Sequence, residues 1–157
     1  MGRSMKLGVV IALLVLLWSN VESGASVSAQ QLAPVAVTIV RIEDGESLTI
    51  KFGTAQKTLH LDGVQVAPCM ADEAANRLYG LAVGRAALLD YDRASYAATS
   101  ELAGYAWVDG IMLNLVLVSE GYAVRGVGAA NAEYNRQSAQ AERTAQAQGL
   151  GLWSRCP

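Results

Sequence analysis

The sequence predicts an α+β domain, a five-stranded OB-type β-barrel with about three helices. Its first half alternates apolar and polar residues with the period of two that strands produce. After Pro68 the apolar spacing changes to three and four, which is typical of a helix, and a later segment is rich in helix-forming residues. Three strands, a helix, two more strands and two trailing helices follow the order of an OB-type barrel.

The strands are predicted from β-branched runs and from period-two alternation. Residues 35–40 are β-branched, and residues 47–52 alternate apolar with polar side chains. Polar residues and glycines at 43–46 and 53–56 indicate the turns between the first three strands. The predicted strands are residues 35–40, 47–52, 58–66, 87–91 and 102–108.

The helix after the third strand has one apolar face and a signal at each end. Ala74, Leu78 and Leu81 lie three or four residues apart. Asp72 and Glu73 suit the positive end of the helix dipole, and the following Gly84 suits a C-terminal stop.

Two further helices are predicted in the last third. Residues 113–118 fit either period, and Gly121 at the position of a helix cap favours a helix. Residues 131–148 are rich in Ala, Gln, Glu and Arg. We expect this helix to pack on the barrel rim through a thin apolar face made of Tyr134, Ala141 and Ala145.

The first 29 residues have the organisation of a cleavable secretory signal. Arg3 and Lys6 precede an apolar run at residues 8–18, which is too short to span a hydrocarbon core that needs about 20 residues. Small residues at 27–29 place the cut after Ala29, and residues 23–25 offer a second site. The alternative is an uncleaved anchor helix. We therefore expect a domain of residues 30–157, exported to the periplasm or the medium, with no membrane segment after cleavage.

The charge balance argues against a strong binder of polyanions. The chain has 12 basic and 14 acidic residues, and removing Arg3, Lys6 and Glu22 with the leader leaves a net charge of −3. A nucleic-acid-binding domain usually has a basic patch or stripe, and none is visible here. Weak, salt-sensitive nucleic-acid binding or binding of a protein partner stays open, and the sequence does not identify the partner.

Cys69 and Cys156 are the two cysteines of the chain. In an exported protein an isolated pair favours a disulfide. A metal site is the alternative, but it needs more ligands than two distant thiols and the single His60.

Six motifs, in order, resemble those of the staphylococcal nuclease (thermonuclease) family. They are Asp-Gly-Glu-Ser at 44–47, Leu-Asp-Gly-Val-Gln-Val-Ala-Pro at 61–68, Leu-Ala-Val-Gly at 81–84, Gly-Tyr-Ala-Trp-Val-Asp-Gly at 104–110, Leu-Asn-Leu-Val-Leu-Val-Ser-Glu-Gly-Tyr-Ala at 113–123 and Gly-Leu-Trp at 151–153. The likeness covers residues 35–153. It implies an OB-barrel related to calcium-dependent phosphodiesterases, with one extra residue before Pro68.

The resemblance also implies where the family's catalytic groups fall. Such a site uses two arginines, a carboxylate near the attacking water, and calcium held by acidic oxygens. The matched positions are Glu46 with Ser47 for the first calcium aspartate and its threonine, His60 (or Leu61 if the extra residue lies elsewhere) for the first arginine, Gln65 or Val66 for the second calcium aspartate, Cys69 for the glutamate, and Glu101 for the second arginine. Most of these positions have changed in chemical kind.

Three functional hypotheses follow. The first is an exported barrel with a degenerate active site that binds a partner or has a structural role and uses no cofactor. The second is a weak or variant calcium-dependent nuclease using Glu46 as metal ligand with His60 and Asp62 on one strand face. The third is a different metal or thiol enzyme built on His60 and Cys69.

Overall fold

The computed structural model describes residues 34–93, 96–97, 102–126 and 131–156. The strands are β1 (Val35–Ile42), β2 (Ser47–Phe52), β3 (Ala55–Leu61), β4 (Val64–Val66), β5 (Ala86–Tyr91), β6 (Leu102–Val108), β7 (Ile111–Met112) and β8 (Ala123–Arg125). The helices are α1 (Ala71–Ala82), α2 (Leu113–Ser119), α3 (Ala132–Ala147) and α4 (Leu152–Arg155), and a 3₁₀ turn at Pro68–Met70 precedes α1. The leader and Glu101 lie outside the described residues.

The five predicted strands form a closed barrel, as expected. Strands β3, β2, β1, β5 and β6 pair antiparallel in that order, and parallel pairing of β3 with β6 closes the ring. Leu59 lies opposite Leu102, and Leu61 lies opposite Gly104, in this closing ladder. The α+β fold predicted from the sequence, a barrel with three main helices, is therefore confirmed.

The strand predicted at 58–66 is two strands in the structure. The chain turns at Asp62 and Gly63, and Gly63 has a φ of 71°, a left-handed conformation that glycine adopts without a steric penalty. Beyond this turn β4 leaves the barrel and pairs with β8. Alternation continued through the turn, so the hydrophobic period alone could not reveal the break.

The barrel interior is filled by the apolar members of each alternating strand. Ile39, Leu48, Ile50, Leu59 and Leu89 have no exposed surface. Buried side chains of α1 and α2 pack in the same core cluster, among them Ala74, Leu78, Leu113 and Leu117. Among the described residues, no helix has the length and apolar character needed to cross a membrane.

Asn114 is a fully satisfied polar junction within this core. Its side chain is buried, and its Nδ2 donates to the carbonyls of Asp62 at 2.8 Å and Gly104 at 3.0 Å. Its Oδ1 accepts from the Ala106 N–H at 3.1 Å. One side chain thus joins the start of α2 to β6 and to the turn after β3.

The long helix α3 packs on α2 and β8, which refines the predicted docking on the barrel rim. It also touches the barrel through Tyr134, whose ring centroid lies 4.5 Å from that of Tyr105 and 5.4 Å from that of Trp107. Its first turn is capped by the side chain of Asn131, which accepts from two backbone N–H groups.

Residues 149–156, the C-terminal strap, return to the start of α1. The predicted disulfide is present in the structure, joining Cys156 to Cys69 across a Cα–Cα distance of 6.0 Å. Arg155 adds an ion pair to Glu73 at 2.6 Å. The strap therefore links the chain end to the 3₁₀ turn and the first turn of α1.

Candidate functional site

Glu46 lies where the first turn meets the end of β3 and the start of β4. Its carbonyl accepts from the Leu61 N–H at 2.9 Å, and its Oε2 accepts from the Val66 N–H at 2.8 Å. The half-buried carboxylate therefore has a backbone donor of this chain as a partner, which orients it toward β4.

His60 is exposed on the outer face of β3, whereas Leu61 is buried in the barrel. Of the two positions that the resemblance allowed for an arginine, His60 thus has the outward direction and Leu61 does not. Its Nδ1 lies 3.1 Å from the Oγ of Ser47, the residue paired with it on β2. The sequence had placed Ser47 in the motif but had not indicated this contact.

Asp62 lies in the turn beyond β3. It therefore does not share a strand face with His60, which the variant-nuclease hypothesis required. Its negative charge acts on Tyr105, whose pKa is raised, first by burial of the ring and then by that charge. Burial likewise raises the pKa of Tyr134, and the charge of Asp90, which accepts from its hydroxyl at 3.4 Å, adds to the effect. Asp62 is thus associated with β6, where the Gly104 carbonyl also accepts from its N–H at 2.8 Å.

The remaining matched positions that the structure describes give no acidic oxygens. Gln65 is exposed on β4, and the described contact of Val66 at this rim is its backbone N–H. Cys69 is exposed and is bonded to Cys156, so it has no free thiol. The hypothesis of a thiol enzyme that uses His60 and Cys69 therefore has no thiolate in this structure.

The donor set at this rim does not fit calcium. Calcium takes six to eight oxygen ligands, most of its compensating charge coming from carboxylates. Across the part of the chain that the structure describes, no three or more His, Cys, Asp or Glu side chains converge in a group able to hold a metal ion. At the positions matched to calcium ligands, Glu46 is the one carboxylate, and the Val66 N–H already donates to it.

Most described arginines are engaged by acids of the same chain. The ion pairs are Arg41–Glu43, Arg77–Glu120, Arg85–Asp109, Arg125–Glu142, Arg136–Glu133 and Arg155–Glu73. They are dispersed over the barrel, α1, α3 and α4. Each pair places a carboxylate beside a guanidinium and so lowers the positive potential there.

A polar row on the outer face of the barrel was missed by the sequence reasoning. The Glu43 carboxylate accepts from the Thr49 hydroxyl and from Arg41, and the pKa of Glu43 is lowered, first by Thr49 and then by Arg41. Ser47 and His60 continue the row on β2 and β3. The signal was the period of two that places Ser47 and Thr49 on one strand face, but only the strand itself and the motif position of Ser47 were predicted from these residues.

Comparison with known proteins gives one family. The family model described as Staphylococcal nuclease homologue matches residues 55–155. The matched range contains His60 and Cys69, ends one residue before Cys156, and begins after the turn that carries Glu46. No curated protein matches the chain.

Proposed function

The chain belongs to the family of staphylococcal nuclease homologues, and on that premise we propose that it is an exported binding or structural module that does not hydrolyse phosphodiester bonds. The family match covers the frame from β3 to Arg155, whereas most positions matched to the family's catalytic groups hold other residue types. The proposal concerns the domain after removal of its leader.

The observation that carries the proposal is the Cys69–Cys156 disulfide. The resemblance assigns to Cys69 the position of the carboxylate near the attacking water. A disulfide sulfur is not a base at neutral pH, and here it also holds the C-terminal strap against the start of α1. The position that would activate water is thus occupied by a structural cross-link.

The electrostatic groups support the same proposal. An imidazole has at most two N–H donors, against five in a guanidinium, and the Nδ1 of His60 already faces the Ser47 hydroxyl, so His60 is a weak substitute for an arginine that stabilises developing negative charge. Glu101, at the other matched arginine position, is acidic. Loss of one preorganised electrostatic group commonly lowers a rate by about 10²–10³-fold, and such losses are not simply additive when residues act as a unit.

The ion-paired arginines also indicate which class of partner the domain binds. Nucleic-acid affinity comes largely from release of counterions when lysines and arginines neutralise phosphates. Since six arginines of the described chain already face acids, phosphate contacts are few, and any nucleic-acid binding is weak and salt-sensitive. This favours a partner that is not a phosphate backbone.

Export is supported by the disulfide, since such bonds persist in oxidising compartments. Intact-mass measurement of the protein recovered from the periplasm or medium should give a chain that begins at Gln30. Recovery of a chain that keeps residues 8–18 in a membrane fraction would contradict leader cleavage and favour the anchor alternative.

The activity part is tested by incubating the exported protein with labelled DNA and RNA, with and without calcium. Staphylococcal nuclease is the positive control, and we expect no cleavage above buffer. We also expect Cys69→Glu in a Cys156→Ser background to remain inactive, because a single restored carboxylate leaves both arginine positions unmatched. Nuclease activity in that variant would show that the residues at the two arginine positions still support catalysis.

A further inference from the structure

The C-terminal strap, residues 149–156, is attached to the domain differently from every barrel strand. None of its residues belongs to the buried core cluster, and α4 has no buried residue. Its side chains are half-buried or exposed. Apolar burial therefore contributes little to holding the strap, in contrast to β1, β2 and β3.

A small number of specific contacts hold the strap in place. The Leu152 N–H donates to the Gly121 carbonyl at 2.8 Å, and Arg155 pairs with Glu73 at 2.6 Å. Gly121 and Gly151 both have positive φ, and their backbones approach so closely that a methyl group on either would overlap the other segment. The disulfide to Cys69 is the one covalent contact.

Docking of the strap also leaves one polar group unsatisfied. The Trp153 Nε1–H is buried and has no hydrogen-bond partner among the described residues. A buried donor without a partner is destabilising relative to the hydrated state. Opening of the strap would return this N–H to water. The free-energy cost of opening is therefore smaller than it would be if the N–H had a partner in the docked state.

We propose that the strap is a redox-releasable latch: reduction of Cys69–Cys156 frees residues 149–156 from α1 while the barrel stays folded. Cys69 is exposed, so the bond is accessible to a reductant at the surface. The inference does not depend on whether the barrel is catalytic.

The chemistry of release is thiol–disulfide exchange with a dithiol. A thiolate of the dithiol attacks one sulfur of the protein disulfide and forms a mixed disulfide, and the other cysteine leaves as a thiolate that takes up a proton. The second thiol of the dithiol then attacks the mixed disulfide and closes its own ring. Two electrons pass to the protein, which ends with the Cys69 and Cys156 thiols.

Release also frees one carboxylate. Glu73, in the first turn of α1, loses its partner Arg155 when the strap leaves. Cys69, which is freed at the same time, follows Val66 by three residues, and the Val66 N–H donates to the Glu46 carboxylate.

Hydrogen–deuterium exchange of the exported protein, with and without dithiothreitol, tests the latch. In the reduced protein we expect amides of residues 149–156 to exchange about tenfold or more faster, at labelling times at which β1–β3 remain protected. The Cys69→Ser/Cys156→Ser variant should behave like the reduced protein and show no response to dithiothreitol. Glu73→Gln, which weakens only the ion pair, should keep the strap protected while the disulfide is intact.

Two results would overturn the latch. One is exchange of strap and barrel amides at the same rate in the reduced protein, which would mean that the strap opens only when the whole domain unfolds. The other is unchanged protection of the strap after both thiols are shown to be free by mass. If the serine variant does not fold, in situ reduction of the folded wild-type protein still distinguishes these outcomes.

Discussion

Asn114 and the Glu46–His60–Asp62 rim are neighbours in the fold, but their polar groups are organised in opposite ways. At Asn114 three hydrogen bonds of one buried side chain join it to two backbone segments, β6 and the turn after β3. At the rim, the Glu46 carboxylate accepts from Val66, His60 contacts Ser47, and the charge of Asp62 acts on Tyr105. The contacts of Asn114 hold segments of the frame together, whereas each of the three rim side chains has a different partner.

The difference supports the proposal that this chain keeps the frame of its family without the family's chemistry. Asn114 contributes to the frame through hydrogen bonds to the backbone of its own chain. At the positions matched to catalytic groups, Glu46 and His60 have partners within the chain, and Cys69 is part of a cross-link.

The largest expected effect comes from the cross-link. Replacing both Cys69 and Cys156 with serine opens a loop of 87 residues, and loop-closure entropy predicts a loss of about 4–5 kcal/mol in the free energy of unfolding. Denaturant titration of the oxidised, reduced and serine forms measures it. A loss below about 1 kcal/mol would mean that the disulfide does not constrain the unfolded chain as this treatment assumes.

Asn114→Ala should have the next largest effect. The change leaves the Ala106 N–H and the Asp62 and Gly104 carbonyls without this partner in or near the core, and we expect a loss of about 3 kcal/mol. The control is Asn76→Ala on the exposed face of α1, where the expected change is within about 0.5 kcal/mol. Equal losses for the two variants would mean that the hydrogen bonds of Asn114 do not stabilise the fold more than an exposed side chain does.

Two glycine substitutions compare the tightly packed strap with the open surface of α1. Gly151→Ala would overlap the Gly121 carbonyl and strain a positive φ, so we expect a loss of about 1–2 kcal/mol. Gly80→Ala, in α1 with open space around it, should instead stabilise by up to about 1 kcal/mol. Thermal unfolding measures both, and a stabilising Gly151→Ala would contradict the close strap contact.

The smallest expected effect is the pH dependence of the Arg155–Glu73 pair. The pKa of Glu73 is lowered, first by a hydrogen bond from its own backbone and then by Arg155. A lowered pKa in the folded state gives stability that is present above the unfolded value and is lost as pH falls through the folded value. The melting difference between wild type and Arg155→Ala should therefore be present at neutral pH and vanish in acid; a difference that grows in acid would reverse the assigned sign.

Most of the frame could be predicted from the sequence, because the spacing of apolar residues, two in strands and three or four in helices, follows from which side chains are buried. The break at Gly63 could not, since apolar spacing continued through it and the conformation of one glycine decided the path. The docking of α3 was only partly predicted, because a thin apolar face does not say which neighbour covers it.

The candidate site was less predictable, for a physical reason. Side-chain direction on a strand follows from parity, so the outward His60 could be anticipated. The partner that each carboxylate selects depends on backbone donors brought close by the fold, as the Val66 N–H is to Glu46. Such contacts between distant segments have no periodic signal in the chain.

The central claim is that the rim does not catalyse hydrolysis, and a rate under protein excess tests it most directly. Labelled single-stranded DNA with calcium is followed with wild type, Glu46→Ala and His60→Ala, so that even slow chemistry is detected. We predict that all three rates equal the rate in buffer. A calcium-dependent wild-type rate that either substitution abolishes would contradict the account and make Glu46 and His60 a working site.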